Sequence, residues 1–228
     1  MIKEVKHGYL ISDMKIPSID MKRYNWSISC QYAQKIEQIK EEVIKCTKCE
    51  LSETRTNSVP GKGNFKSDVI FVGEAPGKNE DEKGEPFIGI AGKKLSSALE
   101  NAGVSRDDIY ITNIVKCRPP SNRIPKTNER ETCQEYLKQE ISIIKPKIIC
   151  VLGNTVFNSI LGGSEIMKYR GKVAQKDKQL YFISLHPAAT IYNQKLVDVF
   201  KKDIKKLFKI TRELKNDKKI KIDIEYTP

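Results

Sequence analysis

The chain has 228 residues, with 41 Lys and Arg against 29 Asp and Glu, for a net charge of +12. This length supports one medium domain with a real core and some decoration, and the charge favours a polyanion (DNA, RNA or an anionic membrane) as much as a merely solvated lysine-rich surface. No apolar run approaches the roughly 20 residues that span a bilayer, and residues 1–20 lack the layout of a secretory signal, so an intracellular, reducing, cytoplasmic setting is expected, nucleoid-associated in a prokaryote.

Residues 1–30 are mixed and aperiodic and read as an extension wrapped on the surface. In QYAQKIEQIKEEVIK (31–45), Ile36, Ile39, Val43 and Ile44 recur at helical spacing. A C-x2-C pair, Cys46 and Cys49, follows. The first strand candidate, DVIFVGE (68–74), breaks into GEAPGKNEDEKGEPFIG (73–89), a turn with four glycines and two prolines. A helical pattern, AGKKLSSALENAG (91–103), leads to a second strand, IYITNIV (109–115). TNERETCQEYLKQEISIIK (127–145) reads as a helix opening on Asn128, three residues before Glu131, a capping-box spacing. KIICVLG (147–153) and LYFISLH (180–186) are further strands, with NTVFNSILG (154–162) helical after the first of them. The helix LVDVFKKDIKKLFKI (196–210) closes the series. The tail, 211–228, is charged, yet IKIDIEY alternates, with Ile220, Ile222 and Ile224 on one side, which fits an added edge strand better than a disordered tail.

Strand alternating with helix implies an α/β fold with a parallel sheet covered on both faces. Ligands of such sheets bind beyond the carboxyl ends of the strands. The glycine-rich turn, Asn113 and His186 all stand at such ends.

Six cysteines in a reducing compartment are ligands or core residues rather than disulfides. Cys150 sits inside an apolar strand and is a small core hydrophobe. Cys46, Cys49, Cys117 and Cys133 could hold Zn2+ or an iron–sulfur cluster. The alternative, that Cys117 and Cys133 merely fill the core, stands beside this. The second close pair of a zinc ribbon is absent, which suits a cluster packed against a domain.

GEAPG, PFIG-x-AG, YITNIVKCRPP, VLGNT and HPAA occur in this order. With the four cysteines they resemble family 4 uracil-DNA glycosylase over about residues 35–210. The resemblance implies a three-layer α/β/α sandwich around a four-stranded parallel sheet, with N- and C-terminal extensions (1–30 and 211–228) flanking a glycosylase domain at 31–210. It implies a [4Fe-4S] cluster on Cys46, Cys49, Cys117 and Cys133, and a monomer that takes uracil from single- or double-stranded DNA, with no membrane partner. Glycosylases flip the base out of the stack. By resemblance, Phe87 stacks on the uracil, Asn113 reads its N3–H and O4, and His186 faces O2. Glu74 stands beside O2 or the attacking water, and Glu80 near C5. Gly73, Ala75 and Gly77 line the base, the glycines allowing close approach of the backbone. Asn113 must be held by a neighbour, since a flipped amide would accept cytosine equally well.

Two positions depart from the pattern. Ala75 stands where better-known uracil glycosylases carry a water-aligning Asp, as is usual in family 4. Thr190 stands where family members carry a wedging leucine, which leaves the wedge to Thr190, Ile191 or Tyr192. A catalytically silent iron–sulfur DNA-binding module of the same fold is the competing reading. QKLVDVF (194–200) faintly resembles sliding-clamp ligands, though its place in an amphipathic helix favours core packing.

Overall fold

A computed structural model of the chain describes residues 3–5, 8–10 and 21–226, with side chains from residue 30 onward. Most of the expected surface wrap over residues 1–30 therefore lies outside the described residues. Within it, β1 (Lys3–Val5) pairs antiparallel with β2 (Gly8–Leu10). Helix α1 (Met21–Lys45) begins well before the periodic stretch at 31 and crosses residue 30. There follow α2 (Leu51–Thr54), β3 (Lys62–Gly63), β4 (Val69–Gly73), α3 (Lys78–Lys83), α4 (Ile90–Asn101) and β5 (Tyr110–Asn113). The second half holds α5 (Thr127–Ile144), β6 (Ile148–Leu152), α6 (Asn154–Leu161), α7 (Ile166–Tyr169), β7 (Val173–Lys176) and β8 (Gln179–Ser184). It closes with α8 (Ala189–Tyr192), α9 (Lys195–Lys215) and β9 (Ile224–Tyr226).

One sheet runs in the order β3-β5-β4-β6-β8-β7-β9. Its centre, β5-β4-β6-β8, is parallel throughout and consists of the four strands legible in the sequence. Of the remaining strands only the tail strand β9, at one edge, was legible. β3 is two residues long and antiparallel to β5. β7 is half polar and pairs antiparallel with β8 through the two-residue turn Asp177-Lys178, both at positive φ (50° and 65°). That is the geometry of a type I′ hairpin, but without the Asn-Gly or Asp-Gly that announces one.

Alternate strand residues feed two cores, as the pleat requires. Ile70, Val72, Ile149, Val151 and Ile183 face one side, against Ile36, Ile39 and Val43 of α1, Leu137 of α5 and Phe157 of α6. Phe71, Ile111, Cys150 and Phe182 face the other, against Leu95 and Leu99 of α4 and Phe200, Ile204 and Leu207 of α9. The result is a three-layer α/β/α sandwich. In the QKLVDVF stretch Phe200 is buried against the α4–α9 core, and Gln194, Lys195 and Asp198 are exposed.

Two local expectations change. Helix α5 does not open on Asn128. It starts at Thr127, and Glu129 Oε2 accepts from the Lys126 amide at 2.7 Å, while Arg123 grips the same carboxylate from outside. A carboxylate on the first turn satisfies an otherwise orphaned amide and complements the helix dipole. In the tail, the isoleucines do not share one face. Ile220 packs on the α4–α9 core and Ile224 on the opposite one, because pairing with β7 begins only at Ile224.

Candidate active site and cysteine cradle

Gly73 and Asn113 are partners in the last rung of the β4–β5 ladder, so both stand at the carboxyl end of the parallel sheet. A β-carbon on Gly73 would lie 2.4 Å from both Asn113 Oδ1 and Phe87 Cζ. The missing side chain is thus the space into which amide and ring converge. Phe87 is 6% exposed and has φ of +54°, a left-handed conformation that costs a non-glycine residue energy.

Three contacts hold it there. Glu80 Oε1 accepts from the amides of Ile88 (2.9 Å) and Gly89 (2.8 Å). Arg106 Nη2 donates to the Pro86 carbonyl at 2.6 Å. Gly92, in the first turn of α4, lets the Phe87 carbonyl press against the helix. One oxygen of Glu80 is therefore committed to the loop, and the other faces Gly77, where a β-carbon would stand 2.9 Å away.

Asn113 is 1% exposed, and its Oδ1 is buried with no hydrogen-bond partner among the described residues. An amide oxygen removed from water without a partner is costly, and a ligand donor would relieve it. The neighbour expected to lock the side-chain amide is not found among the described residues; the contact found is on the main chain, where Lys116 Nζ donates to the Asn113 carbonyl at 3.0 Å.

His186 lies two residues beyond β8, over Phe87, with ring centroids 5.7 Å apart and planes inclined at 38°. Gly153 makes room for it, since a β-carbon there would lie 2.9 Å from the His186 Cβ. The Ala188 amide donates to His186 Nδ1 at 3.2 Å. That makes Nδ1 an acceptor and leaves the proton on Nε2. Burial pushes the imidazole pKa down to about 4, against the opposing charge of Glu80, so the ring is neutral at pH 7.

Glu74 directly follows β4, half-buried, with no ion pair among the described residues. Its backbone carbonyl accepts from Val115 at 3.2 Å. Ala75 packs against the α1–α5 core. Thr190 is 1% exposed, with its hydroxyl donated to the Pro187 carbonyl at 2.7 Å, and Ile191 beside it is half-buried. Tyr192, at the end of α8, is 89% exposed.

Cys46, Cys49, Cys117 and Cys133 line one cavity, together with Lys48, Ser52, Lys116 and Tyr136. Cys30 and Cys150 lie elsewhere, the first exposed and the second in β6. Among the described residues no three Cys, His, Asp or Glu side chains close around a point that one ion could occupy. Hydrogen-bond donors already point at two of the sulfurs: Arg55 Nη1 at Cys117 Sγ (2.9 Å) and the Lys116 amide at Cys133 Sγ (3.3 Å). Thiolates of iron–sulfur clusters accept such bonds, so this donor set fits a cluster.

A model of the uracil DNA glycosylase superfamily matches residues 60–210. The chain is 47% identical over 182 residues to the type-4 uracil-DNA glycosylase of Sulfurisphaera tokodaii, covering 75% of this chain and 83% of the relative. It is 43% identical to the type-4 enzyme of Archaeoglobus fulgidus (76% and 92% covered) and 43% identical to that of Saccharolobus solfataricus (81% and 88%). The chain belongs to the type-4 uracil-DNA glycosylase family.

The matched segment of this type-4 glycosylase contains Phe87, Asn113, His186, Cys117 and Cys133, whereas Cys46 and Cys49 precede it. Sequence reasoning missed the bracing residues Gly92, Arg106 and Gly153. Gly92 and Gly153 fall within the quoted motifs PFIG-x-AG and VLGNT, but their role depends on what crosses them in space. Asp81 was also missed: it is 2% exposed and accepts the amides of Thr56 (2.9 Å) and Asn57 (3.3 Å), tying the segment after the cysteine pair to α3.

Proposed function

We propose that the chain flips uracil out of single- or double-stranded DNA and hydrolyses its N-glycosidic bond, leaving an abasic site. The observation that carries this reading is the buried, unpartnered Oδ1 of Asn113 beside the Phe87 ring. It supplies an acceptor for uracil N3–H next to an aromatic platform for the base. The adjacent amide NH2 donates to O4.

As the bond from C1′ to N1 lengthens, its electron pair moves onto the uracil ring and O2. The sugar gains oxocarbenium character. His186 Nε2–H donates to O2, and its neutral ring gains strength as negative charge builds there. Water adds to C1′ and its proton ends on the departing uracil anion, with Glu74 the carboxylate beside O2 or that water. Ala75 offers no second one. Glu80 limits the space at C5 while its other oxygen holds the Phe87 loop.

The catalytic residues lie within 31–210, the range read from the sequence, but the fold they belong to runs past both bounds, since α1 crosses residue 30 and α9 and β9 continue beyond 210; the protein acts as a monomer inside the cell. Cys46, Cys49, Cys117 and Cys133 would hold a [4Fe-4S] cluster, which when bound cross-links the end of α1 to the β5–α5 segment. The test is a single-stranded oligonucleotide with one uracil, treated with alkali after incubation. Strand breakage at the uracil is expected. A folded, DNA-binding protein that releases no uracil would instead be the silent module.

A further inference from the structure

Lys116 and Glu140 form an ion pair in the interior that the chemistry above does not use. Their side chains are 2% and 1% exposed, with Nζ and Oε2 2.8 Å apart. Lys116 Nζ also donates to Thr112 Oγ1 and to the Asn113 carbonyl, so all three ammonium protons are taken. Glu140 Oε1 accepts from the Gly61 amide and from Tyr110 OH, each at 3.2 Å. The pair thus joins α5, the last rung of β5 and the segment before β3.

A buried ion pair is a poor stabiliser, because desolvation of two charges offsets their attraction, and an apolar pair of the same volume often does as well. Its value here lies in what it orients. The Asn113 carbonyl belongs to the peptide that follows the base-reading side chain. Fixing that peptide plane restrains the backbone from which the Asn113 side chain projects, and so where its Cβ stands, while the amide is turned by its own two side-chain torsions. Lys116 is itself tied at three points: its amide to Cys133 Sγ, its carbonyl to the Val59 amide at 2.7 Å, and its ammonium to Asn113. It is one residue with its backbone on the cysteine cradle and its side chain on the base-reading strand.

We propose that Lys116, held by Glu140, is the positioning residue that aims Asn113 and links the cysteine cradle to base recognition. This rests on the uracil-release reading above. Removing Lys116 alone would strand a buried carboxylate, so the variant is Lys116→Met/Glu140→Met, which removes both charges and keeps the volume.

Three quantities are measured: the melting temperature, the affinity for duplex DNA bearing a tetrahydrofuran abasic-site analogue, and the single-turnover rate on uracil in single-stranded DNA. The abasic analogue has no base for Asn113 to read. The expected result is unchanged melting and abasic-DNA affinity, with a rate about tenfold to a hundredfold lower, the loss of one well-aimed hydrogen bond to the base. A parental rate in the folded double variant overturns the proposal, and so does a parallel fall of all three quantities, which would mark a merely structural pair. Should the double variant not fold, Thr112→Val keeps both charges and removes one partner of each. A several-fold lower rate with normal abasic-DNA binding is then expected, and an unchanged rate overturns the proposal. A parent protein that releases no uracil overturns the underlying reading and this inference together, whereas a slow variant beside an active parent speaks to Lys116 alone.

Discussion

A β-carbon on Gly92 would stand 1.7 Å from the carbonyl oxygen of Phe87 and 2.1 Å from its carbonyl carbon. No side chain fits there, and the atoms it would strike are backbone, which cannot swing aside. Phe87 is already held at a positive φ. Gly92→Ala should therefore move the whole ring rather than merely crowd it. Alanine favours a helix by about 1 kcal/mol over glycine, which works against the clash. We expect a modest change in melting temperature and a fall of about 10²-fold in single-turnover uracil release, the scale of a misplacement near 1 Å. An alanine variant with the parental rate would remove Gly92 from the construction of the site.

His186 yields two expectations. His186→Ala should lower the cleavage rate by about 10²–10³-fold, as loss of one preorganised donor does, with little change in DNA affinity. An unaltered single-turnover rate would exclude His186 from the reaction. The second concerns acid. The ordinary value of 6.5 falls to about 4 in the folded protein. Above pH 6.5 both states are neutral and the group contributes nothing. Between 6.5 and 4 the unfolded chain takes up a proton that the folded chain refuses, so stability is lost as pH falls, by up to about 3 kcal/mol. Denaturant melts at pH 7 and pH 5 should show a smaller acid loss in His186→Gln than in the parent.

Asn113→Asp tests base reading. The ionised carboxylate offers an acceptor but no donor to O4, so uracil release should drop steeply, each unmade buried bond costing about 1–3 kcal/mol. Protonated, the same side chain can accept from cytosine N4–H and donate to N3. Slight cytosine release is therefore expected, strongest in acid. Rates on matched uracil and cytosine oligonucleotides check this, and undiminished uracil release would defeat the assignment.

Tyr192 is the exposed aromatic on the segment after His186, whereas Thr190 is buried and hydrogen-bonded inward. If Tyr192 fills the gap left by the flipped base, Tyr192→Ala should slow cleavage in duplex far more than in single strands, where no stack must be opened. Base–aromatic stacking is worth about 1–3 kcal/mol, or roughly five- to a hundredfold. Equal losses on both substrates would place the wedge elsewhere.

Cys117→Ala should bleach and destabilise the protein by removing one wall of the cradle. Cys150→Ala should keep the colour and cost about 1 kcal/mol, since it only shortens a buried side chain in β6. Visible absorption and iron content of anaerobic preparations distinguish the two. A colourless, zinc-loaded parent would contradict the cluster.

Much of the site was legible because its chemistry is local. The run DVIFV reads as a buried strand from its β-branched and aromatic residues, and the glycines and prolines after it read as a turn, within which folding adds the six-residue helix α3. The five ordered motifs carry Phe87, Asn113 and His186 in their text. The bracing roles of Arg106, Gly92 and Gly153, and the second role of Glu80 in holding the Phe87 loop, were not legible, since they depend on neighbours that the chain approaches only after folding.

The sequence by itself determined the alternation of four buried strands with amphipathic helices, the placing of polar residues at the strand ends, and the cysteine frame, because period and residue type act within a few positions of one another. Tertiary structure alone decided β3 and β7, short strands that carry too little pattern, whereas the alternation in the tail already pointed to the edge strand β9. It also decided which tautomer His186 holds, since the Ala188 amide reaches Nδ1 only in the folded turn. And it decided that Asn113 is held through its carbonyl by Lys116, an ammonium that can stay buried only because Glu140, 24 residues further along the chain, folds back against it.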